Sequence, residues 1–134
     1  MKIDLSSLEK AIVSLSVAIE RAQTQPGDDL ICDGVIQRFE YTYELSWKML
    51  KRVLEKMSAN PAEIDGFSFK ELLREGAEKG LIADIEPWLT YRHQRNITAH
   101  TYDEAKAQSV YHTAIQFLTD AKDLNQALGK HCDD

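Results

Sequence analysis

The longest helical pattern in the sequence lies in residues 30–57, LICDGVIQRFEYTYELSWKMLKRVLEKM. Apolar side chains recur there every three or four positions, which is the spacing of one face of an α-helix. They are Val35, Ile36, Phe39, Tyr43, Trp47, Leu50, Val53, Leu54 and Met57. At ~100° per residue they cover about half of the helix circumference, which is more than one neighbouring helix requires. We therefore expect two packing partners for this helix, either inside a bundle or across a subunit interface.

Helical spacing also precedes this stretch. Residues 5–22 carry an apolar residue at every third or fourth position, which predicts a first amphipathic helix. The sequence Pro26-Gly27-Asp28-Asp29 then interrupts the pattern. Either Asp28 or Asp29 is suited to cap the next helix, because a short carboxylate accepts hydrogen bonds from the first free amides.

A short helix follows the turn at Asn60-Pro61. Ser68 and Glu71 have the spacing of a capping box, and Gly80 is placed to end this helix in a left-handed conformation.

Two more helices complete the chain. One begins near Asp84, and the other is expected to open at Thr101, with Glu104 as the second half of a capping box, and to end at Gly129. With no strand pattern in the sequence, we predict an all-α, up-and-down antiparallel bundle of four to five helices that forms a dimer. At 134 residues the chain is expected to be a single domain, 1–134.

Composition and charge narrow the function classes. The chain is 43% hydrophobic and 28% charged, and it contains neither an apolar run of membrane-spanning length nor a secretory signal. The two cysteines, Cys32 and Cys132, are predicted to be free thiols, which points to the cytoplasm. A net charge of −6 argues against a general nucleic-acid binder. Any contact with RNA requires a local basic patch, such as the one around Arg92.

The strongest candidate for chemistry is the arrangement Arg95-x4-His100-x-Tyr102. Arginine carries a permanent charge on a planar fork that matches two phosphate oxygens, and histidine exchanges protons near neutral pH. Together they suffice to cleave a phosphodiester without a metal ion, because one group moves the proton and the other holds the developing charge. The side-chain amide of Asn96 is suited to hydrogen-bond the carbonyl groups at the end of the preceding helix or the turn that follows.

Structural roles are the alternative for the same residues. Arg95 is able to pair with Glu40 or Glu44 from the long helix, His100 to cap a helix junction, and Tyr102 to pack as a half-buried aromatic. Glu40 and Glu44 lack the Glu-x2-His partner of a di-iron bundle, so we expect neither a metal nor a cofactor.

Two separated segments resemble a known family. The stretch 36–51, IQRFEYTYELSWKMLK, and the motif Arg95-Asn96-x3-His100-x-Tyr102 are similar to HEPN-domain proteins of the HepT type, also called nucleotidyltransferase substrate-binding proteins. The similarity covers nearly the whole chain. It implies a helical bundle that forms a homodimer and a complex with a minimal nucleotidyltransferase (MNT).

The resemblance also implies residue roles. The protein would be the toxin of a HEPN/MNT toxin–antitoxin pair, a metal-independent endoribonuclease acting on RNA. In it Arg95 would stabilise the phosphorane, Asn96 would orient the pair, and His100 would act as general acid or base. The cognate nucleotidyltransferase would neutralise it by transferring AMP to Tyr102, while Glu40, Glu44 and Arg92 would support the site. The alternative is a non-catalytic substrate-binding subunit of a two-component nucleotidyltransferase.

Overall fold

The structure is a computed structural model, and it describes residues 2–98 and 103–132. Within them the chain forms six helices and no strand, which confirms the predicted all-α bundle. The helices are α1 (Ser6–Thr24), α2 (Asp29–Met57), α3 (Pro61–Asp65), α4 (Phe69–Glu78), α5 (Glu86–Asn96) and α6 (Glu104–Gly129). The addition to the predicted set is α3, a single turn that starts with the helix-compatible φ of Pro61.

The helix ends follow the local signals in the sequence. The Asp28 side chain accepts hydrogen bonds from the amides of Leu30 and Ile31, so it is the cap of α2. Ser68 and Glu71 form the predicted capping box of α4. These bonds satisfy amides that would otherwise have no partner in the first turn of each helix.

The predicted start of α6 at Thr101 is wrong. Asp103 has an extended backbone, φ −78° and ψ 119°, so the helix cannot continue back through it. Its carboxylate accepts hydrogen bonds from the amides of Ala105 and Lys106 instead, and α6 begins at Glu104. Thr101 itself lies outside the described residues.

The three long helices α1, α2 and α6 enclose the core. Phe117 of α6 is fully buried and lies edge-on to Phe39 of α2, with ring centroids 5.2 Å apart. Trp88 and Tyr91 bring α5 onto the same ring, with centroids 5.8 Å and 5.1 Å from that of Phe117. Edge-to-face pairs of this kind add about 0.5–1.5 kcal/mol each beyond the area they bury. This cluster therefore fixes α5 against α2 and α6.

The wide apolar arc of α2 is largely filled within the chain, because α2 contacts each of the other five helices. Tyr43 is only 2% exposed, whereas Trp47 is half-buried and Met57, at the helix end, is exposed. Of the two explanations for the arc, packing inside the bundle accounts for most of it. A subunit interface along α2 is not needed to explain the pattern.

A glycine brings α4 close to α2. A Cβ atom on Gly76 would lie 3.2 Å from Leu50 Cδ1 of α2, which is tighter than ordinary contact. The absent side chain lets the two helices approach, and this approach places the start of α4 beside the middle of α2.

Gly80 and Gly34 should respond in opposite directions to alanine. Gly80, at the end of α4, has φ +75°, so Gly80→Ala is expected to lower the free energy of unfolding by about 1–2 kcal/mol. Gly34, within α2, has open space around it, so Gly34→Ala should raise stability by about 0.8–1 kcal/mol. Urea unfolding of both variants measures this, and equal effects would contradict the assignment of the α4 end.

The helices of the part described are all too short or too polar to span a bilayer.

Candidate functional site

Arg95 lies in the last turn of α5 and faces α2. Its Nη2 atom is 3.6 Å from Glu40 Oε1, and its Nε atom is 3.3 Å from Glu44 Oε1. The three side chains are between 31% and 41% exposed, so solvent screens these ion pairs only in part. The pairing that the sequence left open between Glu40 and Glu44 is thus made by both carboxylates at once.

The Glu44 carboxylate is itself held in place. Its Oε2 atom accepts a hydrogen bond from Trp47 Nε1 at 3.2 Å and lies 4.0 Å from Lys48 Nζ. Arg95 Nε is fully enclosed and makes no well-aligned hydrogen bond with a described residue, so the ion pair alone orients it. Among residues 2–98 and 103–132, the two carboxylates make these contacts with Nη2 and Nε, so the N–H donors of Nη1 can meet a third anion.

The C-terminus of α5 is closed by Thr98. Its hydroxyl donates a hydrogen bond to the carbonyl oxygen of Arg95 at 2.8 Å, and the amide of Ile97 donates to Gln94 O at 3.2 Å. The sequence suggested that Asn96 would satisfy a carbonyl at this helix end. Thr98 satisfies the carbonyl of Arg95 instead. The Asn96 side chain is exposed and lies beside Arg95 at the mouth of a cleft.

Arg92 sits one turn before Arg95 on the same side of α5. Its guanidinium carbon is 4.7 Å from the ring centroid of Phe69, which is a cation–π contact between α5 and α4. Trp88 and Tyr91, the aromatics next to Arg92 in the sequence, are 3% and 0% exposed. Both rings belong to the core, so they are not available to stack a base.

A cleft of about 400 Å³ opens between α2 and the segment from α3 to α5. Arg92, Arg95 and Asn96 lie on one side of it. Its aromatic wall consists of Tyr43, Trp47, Phe67 and Phe69. No pattern in the sequence indicates this cleft, since of its residues near the start of α4 only Ser68 was singled out, and only as a helix cap. It arises because α4 returns across α2, which is a tertiary event.

Tyr43 lies deep in this cleft. Burial raises the pKa of its phenol well above the usual value, although the nearby charges of Arg92 and Arg95 oppose the shift. The phenol therefore stays protonated at neutral pH. It can donate a hydrogen bond into the cleft, but it does not act there as a base.

The other two motif residues, His100 and Tyr102, lie outside the described residues. The structure does show that α5 ends between Arg95 and His100, with its C-cap at Ile97. The two side chains are therefore not carried on one unbroken helix, where five residues of separation would point them ~140° apart. This confirms the helix end that the motif requires.

Glu40 and Glu44 contact a guanidinium and do not form part of a metal cluster. Across residues 2–98 and 103–132, no group of three or more His, Cys, Asp or Glu side chains is placed to hold a metal ion.

Comparison with known proteins places this geometry in a family. Residues 3–130 match the family model "Nucleotidyltransferase substrate binding protein like". The chain belongs to this family. It is also 39% identical over 135 residues to a Haemophilus influenzae protein named "Probable ribonuclease HepT", covering 95% of this chain and 92% of that protein.

Two solved structures of similar proteins support the same assignment. One, from Haemophilus influenzae, was described as revealing the fold of a substrate-binding domain of a nucleotidyltransferase. It has a TM-score of 0.89 and 39% identity, and the match covers 94% of this chain and 99% of that one. The second, from Thermus thermophilus, has a TM-score of 0.72 and 32% identity over the same shares. The resemblance to HepT-type, nucleotidyltransferase substrate-binding proteins is confirmed.

Proposed function

We propose that this chain is a HEPN-type endoribonuclease, the toxin of a HEPN/MNT pair, whose reaction centre combines Arg95, His100 and Asn96. The observation that carries the proposal is the setting of Arg95. Two carboxylates hold one edge of its guanidinium, Nη1 takes part in neither ion pair, and the side chain borders a cleft large enough for a nucleotide. Membership in a family with a relative named as a ribonuclease supports the same conclusion.

The proposed reaction needs only groups that this chain carries. The imidazole of His100 takes the proton of a ribose 2′-hydroxyl, and the resulting oxygen attacks the adjacent phosphorus. The O2′–P bond forms, the P–O5′ bond breaks, and an imidazolium supplies the proton to the leaving 5′-oxygen. Arg95 holds the charge of the phosphorane through its planar fork. The products are a 2′,3′-cyclic phosphate and a 5′-hydroxyl.

Two protonation states of histidine are required at once, one as base and one as acid. A two-fold dimer supplies them, because an isologous interface near the motif brings His100 of both copies to one phosphate. The dimer proposal rests on this requirement and on the family, since the apolar arc of α2 is mostly filled within one chain.

The dimer predicts a measurable mass. Light scattering at micromolar concentration should give twice the mass of one 15.3 kDa chain. An interface at the motif should also weaken when a charge is added nearby, so Thr98→Asp is expected to shift the equilibrium toward monomer. Gln126→Asp, on the far half of α6, is the matched control and should remain dimeric. A wild-type monomer would remove the two-histidine mechanism.

The partner in this proposal is a minimal nucleotidyltransferase that transfers AMP to Tyr102. The adduct adds a phosphodiester anion next to Arg95, and this anion occupies the guanidinium in place of an RNA phosphate. The nucleoside fills the space that the RNA strand would use. Modification thus blocks the site by charge and by volume.

A second candidate function is the non-catalytic substrate-binding subunit of a two-component nucleotidyltransferase. The contacts of Arg95 favour it in one respect, because two carboxylates already neutralise the guanidinium. On this alternative Arg95 ties α5 to α2, and the cleft presents a substrate to the partner. It leaves the complete pair of Arg95 and His100 without a purpose.

Growth of cells that express this chain alone separates the two functions. A ribonuclease toxin should stop growth, whereas the His100→Ala variant at equal abundance should not. Cells that express the wild-type chain should grow again when the nucleotidyltransferase is co-expressed. Normal growth with the wild-type chain at a confirmed expression level would favour the substrate-binding subunit.

A further inference from the structure

The cleft beside Arg95 has a built aromatic wall that the reaction does not use. Trp47 of α2 and Phe69 of α4 meet edge to face, with centroids 6.4 Å apart and planes at 88°. Phe67 lines the same space just before α4. All three side chains are only partly buried, in contrast to the fully buried rings of the core. Arg92 lies over the Phe69 ring, so the ring surface that the cleft offers a ligand is that of Trp47 and Phe67.

Three cations also line the cleft. Arg92 and Arg95 project from successive turns of α5, and Lys51 lies on α2 one turn beyond Trp47. Glu44 is the carboxylate among the lining residues. Lys51 is held by Asp65 at 2.7 Å, and Arg95 by its two glutamates, so the cations are positioned before any ligand arrives. The cleft therefore suits a ligand that has both a flat apolar face and an anionic group for these positioned cations.

An unpaired nucleotide has this combination. Proteins bind single-stranded RNA by stacking exposed bases on aromatic side chains and arginine planes while cations contact the backbone. The two arginines border the same cleft as the rings, so a base and its phosphate can be engaged together.

We infer that the cleft binds one unpaired nucleotide of RNA, with its base against Trp47 and Phe67 and its phosphate at Arg95 and Arg92. This inference rests on the proposed function, and it assigns that function a base-binding subsite next to the cleaved bond. The enzyme therefore cuts single-stranded RNA beside the nucleotide that fills the cleft, and it does not cut within a duplex.

Binding can be measured apart from cleavage. Fluorescence anisotropy measures the affinity of the His100→Ala protein for a short single-stranded oligoribonucleotide. The same titration is repeated with a set of oligoribonucleotides, each of which lacks the base at one position. One abasic position should weaken binding about tenfold or more, which is the effect of losing one stacked base. Trp47→Leu and Phe67→Leu, in the same background, should weaken binding of the intact RNA by a similar factor.

The two losses should not add. If the missing base is the one that stacks on the ring, Trp47→Leu should make no further difference to the abasic RNA. Tyr41→Leu, an exposed ring outside the cleft, is the control and should bind as the parent does. Urea unfolding of each variant confirms that it is folded. Additive losses, or no sensitive abasic position, would overturn the inference. A Trp47→Leu protein that keeps its affinity for RNA but changes oligomeric state would also overturn it. That result would mean that a second copy of the chain, and not RNA, covers the cleft.

Failure of this inference can be told from failure of the ribonuclease proposal. Wild-type protein that cleaves RNA, with Phe67→Leu cleaving at unchanged KM, would remove the base subsite and leave the enzyme. Base-dependent binding at Trp47 without cleavage by the wild type would leave the subsite and remove the enzyme.

Discussion

RNA cleavage by the His100→Ala protein is expected to be at least about a hundredfold slower than cleavage by the wild type. Removing the imidazole takes away the group that moves the 2′-hydroxyl proton, and positioned proton transfer accounts for about 10²–10⁴ in rate. Single-turnover cleavage of a labelled RNA measures the effect. His112→Ala, an exposed histidine of α6, is the matched control and should cleave at the wild-type rate.

Arg95→Lys tests the second half of the same centre. Lysine keeps the positive charge that Glu40 and Glu44 require, so the bundle should remain folded. Cleavage should nevertheless fail, because a point charge does not reproduce the planar fork that contacts two phosphate oxygens. Arg21→Lys, at an exposed position of α1, is the matched control. Wild-type rates in both His100→Ala and Arg95→Lys would place the chemistry elsewhere.

AMP transfer to Tyr102 is expected to inactivate the ribonuclease. Co-expression with the cognate nucleotidyltransferase should add one or more adenylyl groups to the chain, visible by intact-mass spectrometry, and should abolish RNA cleavage. The adduct should be absent from Tyr102→Phe, which lacks the acceptor hydroxyl. That variant should therefore remain an active ribonuclease in the presence of the partner.

Tyr41→Phe is the control for this modification. Its hydroxyl is exposed and hydrogen-bonded to Ser14 Oγ at 2.8 Å, far from the motif in the sequence, and its loss should leave the adduct unchanged. An unmodified wild-type chain, beside a partner that is active on another substrate, would make the substrate-binding subunit the better account.

The features that the sequence predicted well are those that local chemistry determines. The capping box joins Ser68 and Glu71, which are three residues apart, and the left-handed conformation of Gly80 depends on glycine itself. Both features can therefore be predicted from a few neighbouring residues. The start of α6 was misplaced because Asp103 and Thr101 are both good capping residues, and only the extended backbone at Asp103 decides between them.

Features that depend on which helices meet were harder to predict. The apolar arc of α2 has the same pattern whether its second partner is in the same chain or in another copy. The close approach of α4 at Gly76, which fills part of the arc, is visible only in the fold. The aromatic cleft follows from that approach, and its rings Phe67 and Phe69 carry no periodic signal of their own. Arg95, in contrast, was found from its spacing to His100.

The pairing of Arg95 with two carboxylates is compatible with both proposed functions. In a ribonuclease it would position the guanidinium for the phosphate. Glu40 and Glu44 occupy the Nη2 and Nε side of the guanidinium, which fixes the plane of the fork. A fixed fork loses little freedom when it binds a phosphate, and this is the condition for strong stabilisation of a transition state. On this account the carboxylates position Arg95 and do not compete with the RNA.

End-group analysis of RNA treated with the purified wild-type protein in EDTA distinguishes a metal-independent ribonuclease from a substrate-binding subunit. We expect cleavage of single-stranded RNA that leaves 2′,3′-cyclic phosphate and 5′-hydroxyl ends, because the 2′-oxygen is the nucleophile and Arg95 and His100 supply the catalysis. Intact RNA from a folded, unmodified protein, or products with 5′-phosphate ends, would contradict it.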